Sequence, residues 1–119
     1  MSKTLDRYLY SVHSLKERYL VVRAVDVAHD LGVSKASVSL ALRQLREEGL
    51  ILTEPDGNLL LSSRGVARAE ALMRRIAFFA EWLTEAGVDP DQARRDAAAF
   101  GWEMSEASFQ AFRAVRERK

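Results

Sequence analysis

A chain of 119 residues that is 48% hydrophobic can bury one core of ordinary size and falls within the usual length of a single domain. Eighteen basic against seventeen acidic residues leave a net charge of +1, so the overall charge selects neither a nucleic acid nor a membrane, and any basic surface must be local. With no cysteine there are no disulfides or thiolate-ligated metals; no apolar run approaches the ~20 residues of a spanning helix, and MSKTLDRYLY lacks a signal-peptide core. These features point to a soluble, cytoplasmic protein with no membrane partner.

Leu5, Leu9, Val12 and Leu15 recur at helical spacing, and Thr4 is placed to accept from the opening amides, which predicts a first helix over 4–18. VDVAHDLGV then reads as a short helix with Val27, Ala28 and Leu31 inward and Gly32 at its end. Ser34 caps SKASVSLALRQLREEG, a helix running to Gly49 with Val38, Leu42 and Leu45 on one stripe. In LILTEPDGNLLLS two apolar runs flank Pro55, Asp56, Gly57 and Asn58, which predicts a β-hairpin.

Ser62 or Ser63 opens a long helix that closes at Gly87, with Val66, Leu72, Ile76, Phe79 and Leu83 as its apolar side. Asp89, Pro90 and Gln92 form the next start signal, with Gln92 placed to reach back, for a helix to about Phe100. Ser105 opens the last helix, whose apolar edge is Phe109, Phe112 and Val115. The fold class is mainly α: a winged helix-turn-helix over 1–63, followed over 64–119 by a long linking helix and a helical dimerisation region.

From Val27 to Ala41 the spacing fits a helix-turn-helix. Ala28 is small where two helices cross, Gly32 turns the chain four residues later, and Val38 wedges between the helices six residues further on. Residues 34–46 contain three cations and no acid. Lys35, Ser39, Arg43 and Arg46 lie opposite the apolar stripe, and Ser34, Ala36 and Ser37 are short enough for close approach to base edges. The alternative is a solvated helix face that happens to be basic; the hairpin directly behind the motif argues for a winged helix that enters a major groove.

At these residues the sequence resembles the metal-dependent repressors typified by the diphtheria toxin repressor and the manganese transport regulator. The resemblance runs through DVAHDLGVSKASVSLALRQLREEGLI, EPDGNLLLSSRG, AGVDPDQA and the serine of EMS. It implies a homodimer whose winged helices bind a palindromic operator and whose later helices form the dimer interface. With the chain ending at 119, it also implies no third, SH3-like domain. Arg23 is placed like residues that contact the DNA backbone in relatives; otherwise it is a surface charge. Relatives often carry a basic wing tip, whereas Asp56, Gly57 and Asn58 stand here, so the wing is expected to add little affinity for phosphate.

Members of the family hold Mn(II) or Fe(II) with carboxylates on the first helix, a histidine on the long helix and a Glu-x-x-Glu-His cluster on the fifth, ligands that suit hard divalent ions. Matched to those positions, this chain has Arg7 and Tyr10, then Ile76, then Ala98, Gly101 and Trp102. None of the six is a ligand of that kind, so no metal and no cofactor are expected at the family's site. His13 and His29, the only histidines, lie outside any ligand spacing, and Glu103 and Glu106 suit a helix first turn.

The reading is a dimeric, sequence-specific regulator of transcription, a metalloregulator-like repressor in kind, that binds double-stranded DNA without metal. Either apolar packing by Trp102 and Ile76 or an unknown effector, small molecule or protein, would replace the ion. Two alternatives stand beside it: a metal-dependent repressor using another site, and a winged-helix protein-interaction module that no longer binds DNA. An enzyme is not indicated, because no phosphate loop, nucleophile elbow or paired histidine and acid is present.

Overall fold

The computed structural model describes residues 3–101 and 103–118. In chain order the elements are α1 (Lys3–Arg18), α2 (Ala24–Leu31), α3 (Lys35–Glu47), β1 (Ile51–Thr53), β2 (Leu59–Leu61), α4 (Ser63–Glu85), α5 (Pro90–Gly101) and α6 (Glu106–Glu117). The chain divides into two compact units, Met1–Leu72 and Met73–Lys119, with the division inside α4.

The first unit is built around one apolar cluster. Leu5, Tyr8, Leu9, Val12 and Leu15 of α1 meet Val27 and Ala28 of α2, and Val38, Ala41, Leu42 and Leu45 of α3. Leu50, Ile51, Leu59 and Ala69 close it from the hairpin and from the start of α4. The turn between α2 and α3 follows from two residues. Gly32 ends α2 at φ 66, a left-handed conformation, and donates its amide back to the Ala28 carbonyl. Ser34 then accepts from the Ser37 amide at 3.1 Å and starts α3. A Cβ at Gly32 would meet no atom within 4 Å, so the glycine is there for its backbone alone. Gly32→Ala is accordingly expected to cost about 1 kcal/mol in denaturant unfolding, the penalty of left-handed φ for an L-residue.

β1 and β2 pair antiparallel with Ile51 opposite Leu61 and Thr53 opposite Leu59. Each strand has only three residues, and the wing relies on its surroundings. Asn58, expected at the exposed tip, is buried instead. Its Oδ1 accepts from the Val22 amide at 3.0 Å and from Lys16 Nζ at 3.2 Å, and its Nδ2 donates to Glu54 Oε1 at 2.6 Å. The Leu59 amide also donates to the Val22 carbonyl at 2.8 Å. A buried amide is tolerable because its polar atoms find partners, and those partners stitch the wing to the α1–α2 linker.

Three local expectations change. α1 already includes Lys3, so Thr4 lies inside the first turn rather than capping it. α3 stops at Glu47, and Gly49 follows at φ 74 with the Leu50 amide bonded to the Leu45 carbonyl at 3.0 Å. The opening of α5 is capped by Asp89 Oδ2, which accepts from the Asp91 and Gln92 amides at 3.1 and 3.3 Å. Gln92, however, turns forward: its Nε2 donates to Asp96 Oδ1 at 2.8 Å, a partner one turn along the same face.

Packing in the second unit is aromatic. Phe79 of α4 lies 5.0 Å from Phe100 of α5 and 5.8 Å from Phe109 and Phe112 of α6, ring to ring. Arg75 donates to the Met104 and Ser105 carbonyls at 2.8 and 2.9 Å while its guanidinium lies over the Phe109 ring. Arg116 pairs with Glu85 and stacks over Trp82. Phe109 is buried, but Phe112 and Val115 stay exposed, so the apolar edge of α6 is only half covered within the chain.

Candidate nucleic-acid interface

α3 buries Val38, Ala41, Leu42 and Leu45, which sets its opposite side outward. Ser34, Lys35, Ala36, Ser37, Ser39, Arg43 and Arg46 are all exposed. The two leading serines are occupied with the helix start: Ser34 Oγ takes the Ser37 amide, and the two hydroxyls lie 3.0 Å apart. Lys35 and Arg43 have no polar side-chain partner among the described residues. Their charges are therefore available to a polyanion at no cost of breaking an existing pair.

The other two cations face the wing. Arg46 donates to Thr53 Oγ1 at 3.0 Å, joining α3 to β1. Arg23 precedes α2, and its amide donates to Asp26 Oδ2 at 2.8 Å, so Asp26 caps that helix by reaching back. The Arg23 guanidinium crosses to the wing tip, where Nε donates to the Asp56 carbonyl at 2.9 Å and one terminal nitrogen lies 3.5 Å from the Asp56 carboxylate. Both ends stay about half exposed, so the pair adds little stability. It does offset the acid at the tip, which the sequence alone presents as a charge opposed to phosphate.

Arg23, Lys35, Ser39 and Arg46 come together on one open groove of about 460 Å³ between α3 and the wing, with Thr53, Gly57 and Leu59 on the far side. Its described lining carries three cations and no acid. Ala36 and Arg43 lie outside this groove, and Ser34 and Ser37 belong to the helix cap. Sequence reasoning missed Thr53, whose bond to Arg46 joins residues seven apart across a turn, and Leu40, which stands exposed on α3 outside the groove.

The positions matched to metal ligands behave differently. Arg7 is exposed. Tyr10 is half-buried, and burial pushes its phenol pKa up, with Glu17 and Asp30 pushing the same way, so the oxygen stays neutral at ordinary pH. Ile76 is buried, and a Cβ built on the buried Gly101 would sit 3.7 Å from Ile76 Cγ1, in ordinary van der Waals contact. Ala98 is partly buried, and Trp102 lies outside the described residues. No group of three or more histidine, cysteine, aspartate or glutamate side chains able to hold a metal ion occurs among the described residues. A guanidinium, a phenol and aliphatic groups do not fit a hard divalent ion. The one carboxylate buried in this part of α1, Asp6, is engaged by Arg68: Nε donates to Oδ1 at 3.0 Å and the terminal nitrogen to Oδ2 at 2.8 Å.

Three helices with a glycine turn, a hairpin wing and a second motif helix with no acid before Glu47 define a winged helix-turn-helix protein of the DNA-binding, transcription-regulating class. Residues 1–59 match the iron-dependent repressor N-terminal DNA binding domain. The transcriptional regulator MntR of Escherichia coli is 33% identical over 109 residues, covering 92% of this chain and 70% of its own length. An HTH-type regulator of the same name from Listeria monocytogenes is 27% identical over 93 residues, with 78% and 66% covered. Among solved structures, a manganese-dependent transcriptional repressor in complex with manganese superposes with a TM-score of 0.79 at 24% identity, over 93% of this chain and 51% of that one, a likeness of fold. The chain belongs to the iron-dependent repressor family that includes MntR, and it is a DNA-binding transcriptional regulator rather than an enzyme.

Proposed function

We propose that this regulator binds a palindromic operator as a homodimer in the cytoplasm and does so without a divalent metal. The observation that carries the metal-free part is the Ile76 and Gly101 packing, which puts aliphatic atoms where the family's liganding side chains would project. Among the described residues, the matched positions offer no carboxylate or imidazole donor. The half-covered aromatic edge of the second unit, with Phe100, Phe112 and Val115 exposed, favours a second copy as its cover.

On DNA, Lys35 and Arg43 bring uncommitted charge to phosphates, while Ser39 and Ala36 allow the helix to approach base edges. Arg46 and Arg23 serve from the groove between α3 and the wing, with Ser34 and Ser37 fixing the amino end of α3. Two copies place two such helices on half-sites about one helical turn, or a multiple of it, apart.

Selection of bound duplexes from a random pool, with chelator and with Mn(II), tests the reading. The expected result is the same inverted repeat under both conditions and a light-scattering mass of two chains. Lys35→Ala, Arg43→Ala should then weaken the selected duplex and flatten the slope of log affinity against log salt by about 1 for each phosphate no longer neutralised. Binding that requires Mn(II) would overturn the metal-free part. A chain that selects no duplex yet captures a protein partner would instead be an interaction module.

A further inference from the structure

We infer that Leu40 reads thymine, making the operator half-site depend on a 5-methyl group at one base pair. The inference rests on the DNA-binding reading above and names what one position of α3 recognises. The buried stripe of α3 is Val38, Ala41, Leu42 and Leu45. Leu40 stands two residues from both Val38 and Leu42, so helical geometry places it off that stripe. It is 49% exposed, and its exposed neighbours on the helix are Ala36, Ser37, Ser39, Arg43, Gln44 and, two turns on, Glu47.

On that side of α3 the other exposed side chains are short or polar, and Leu40 alone projects a branched apolar group. Its back is not free: it shares a shallow groove of about 210 Å³ with Thr4, Leu5 and Tyr8 of α1, which limits where the side chain can turn. Of the four bases, thymine alone presents an apolar group in the major groove. Any other base edge set against Leu40 would surrender water from a donor or acceptor and gain no hydrogen bond in return. A T·A pair is the partner that lets this leucine be buried without such a loss.

Single exposed leucines are common on protein surfaces, and the experiment separates that case. In duplexes selected by the full chain, each thymine of a half-site is replaced in turn by deoxyuridine, which deletes only the methyl group. Affinity is measured for the unmodified protein, Leu40→Ala and Arg43→Ala. One thymine should emerge at which the missing methyl weakens the unmodified protein by about fourfold per half-site, the effect of one buried carbon. Leu40→Ala should bind the two duplexes equally, and Arg43→Ala should weaken both while keeping the fourfold difference.

Additive effects of Leu40→Ala and deoxyuridine at every thymine would overturn the assignment while leaving the DNA-binding reading intact. Failure to retain any duplex would overturn both. Unfolding midpoints of the variants, expected unchanged for these exposed side chains, exclude loss of fold as the cause.

Discussion

Arg68→Met should cost about 3 kcal/mol of folding stability, whereas Asp6→Asn should cost only about 1 kcal/mol, although both break the same pair. The asymmetry follows from burial. The Asp6 side chain is 8% exposed and the Arg68 side chain 43%. Without Arg68, a carboxylate stays sealed beneath α4 with its two strongest hydrogen bonds gone, and water cannot replace them cheaply. Without the Asp6 charge, the guanidinium is already half in water and simply hydrates. Denaturant unfolding of both variants measures the difference.

Equal losses would show that the pair acts as an ordinary surface ion pair. The double variant Asp6→Leu, Arg68→Met should recover most of what Arg68→Met loses, because it removes the stranded charge and fills its place with carbon. Since α1 also supports α3 through the shared core, the fraction of chains able to present the recognition helix should fall with Arg68→Met and return in the double variant.

That pair joins residues 62 apart, and nothing in the sequence announces it. In a helix with Leu5, Leu9, Val12 and Leu15 as its apolar face, Asp6 reads as an ordinary solvated acid of the first turn. Helix ends are legible for the opposite reason. Gly32, Ser34, Asp89 and Ser105 act on amides and carbonyls within a few residues, so local chemistry decides them. Gln92 escapes that logic because two partners compete for one amide, and the side-chain partner Asp96 wins over the backbone.

The interface is legible in the same partial way. Periodicity alone places Lys35, Ser39, Arg43 and Arg46 opposite the core stripe, and exposure agrees at each. What the pattern does not supply is who holds whom. Arg23 meets Asp56 and Arg46 meets Thr53 only once the hairpin folds back, while Asn58 becomes buried because Val22 needs an acceptor. Leu40 is easily passed over, because an apolar residue in an amphipathic helix reads as core until its phase is compared with the buried stripe. The positions matched to metal ligands show the reverse case: residue types alone carry the proposal that the ion is lost, since no packing turns isoleucine or glycine into a donor of the needed kind.

Gly65→Ala should destabilise the protein by about 3 kcal/mol, opposite in sign to the gain of about 1 kcal/mol that helix propensity assigns to replacing glycine inside a helix. Gly65 lies in the first turn of α4, and a Cβ there would fall 2.0 Å from the Leu50 carbonyl oxygen and 3.0 Å from its carbon. Both are backbone atoms, so no rotamer change relieves the overlap. The same carbonyl accepts from the Ser62 amide at 3.0 Å. Ser62 Oγ in turn takes the Gly65 amide at 3.0 Å and donates to the Gly49 carbonyl at 2.7 Å. Moving α4 aside for one methyl group therefore strains three hydrogen bonds around the segment that leads into β1. The wing should loosen with them, and with it the Thr53 and Gly57 side of the cationic groove, so duplex affinity should fall even under conditions where the variant remains folded. Unfolding and DNA titrations of Gly65→Ala beside Gly32→Ala provide the comparison. A neutral or stabilising effect at Gly65 would show that α4 does not approach Leu50 so closely. The expected loss, several times that at Gly32, would show that this glycine is required for close approach rather than for backbone freedom.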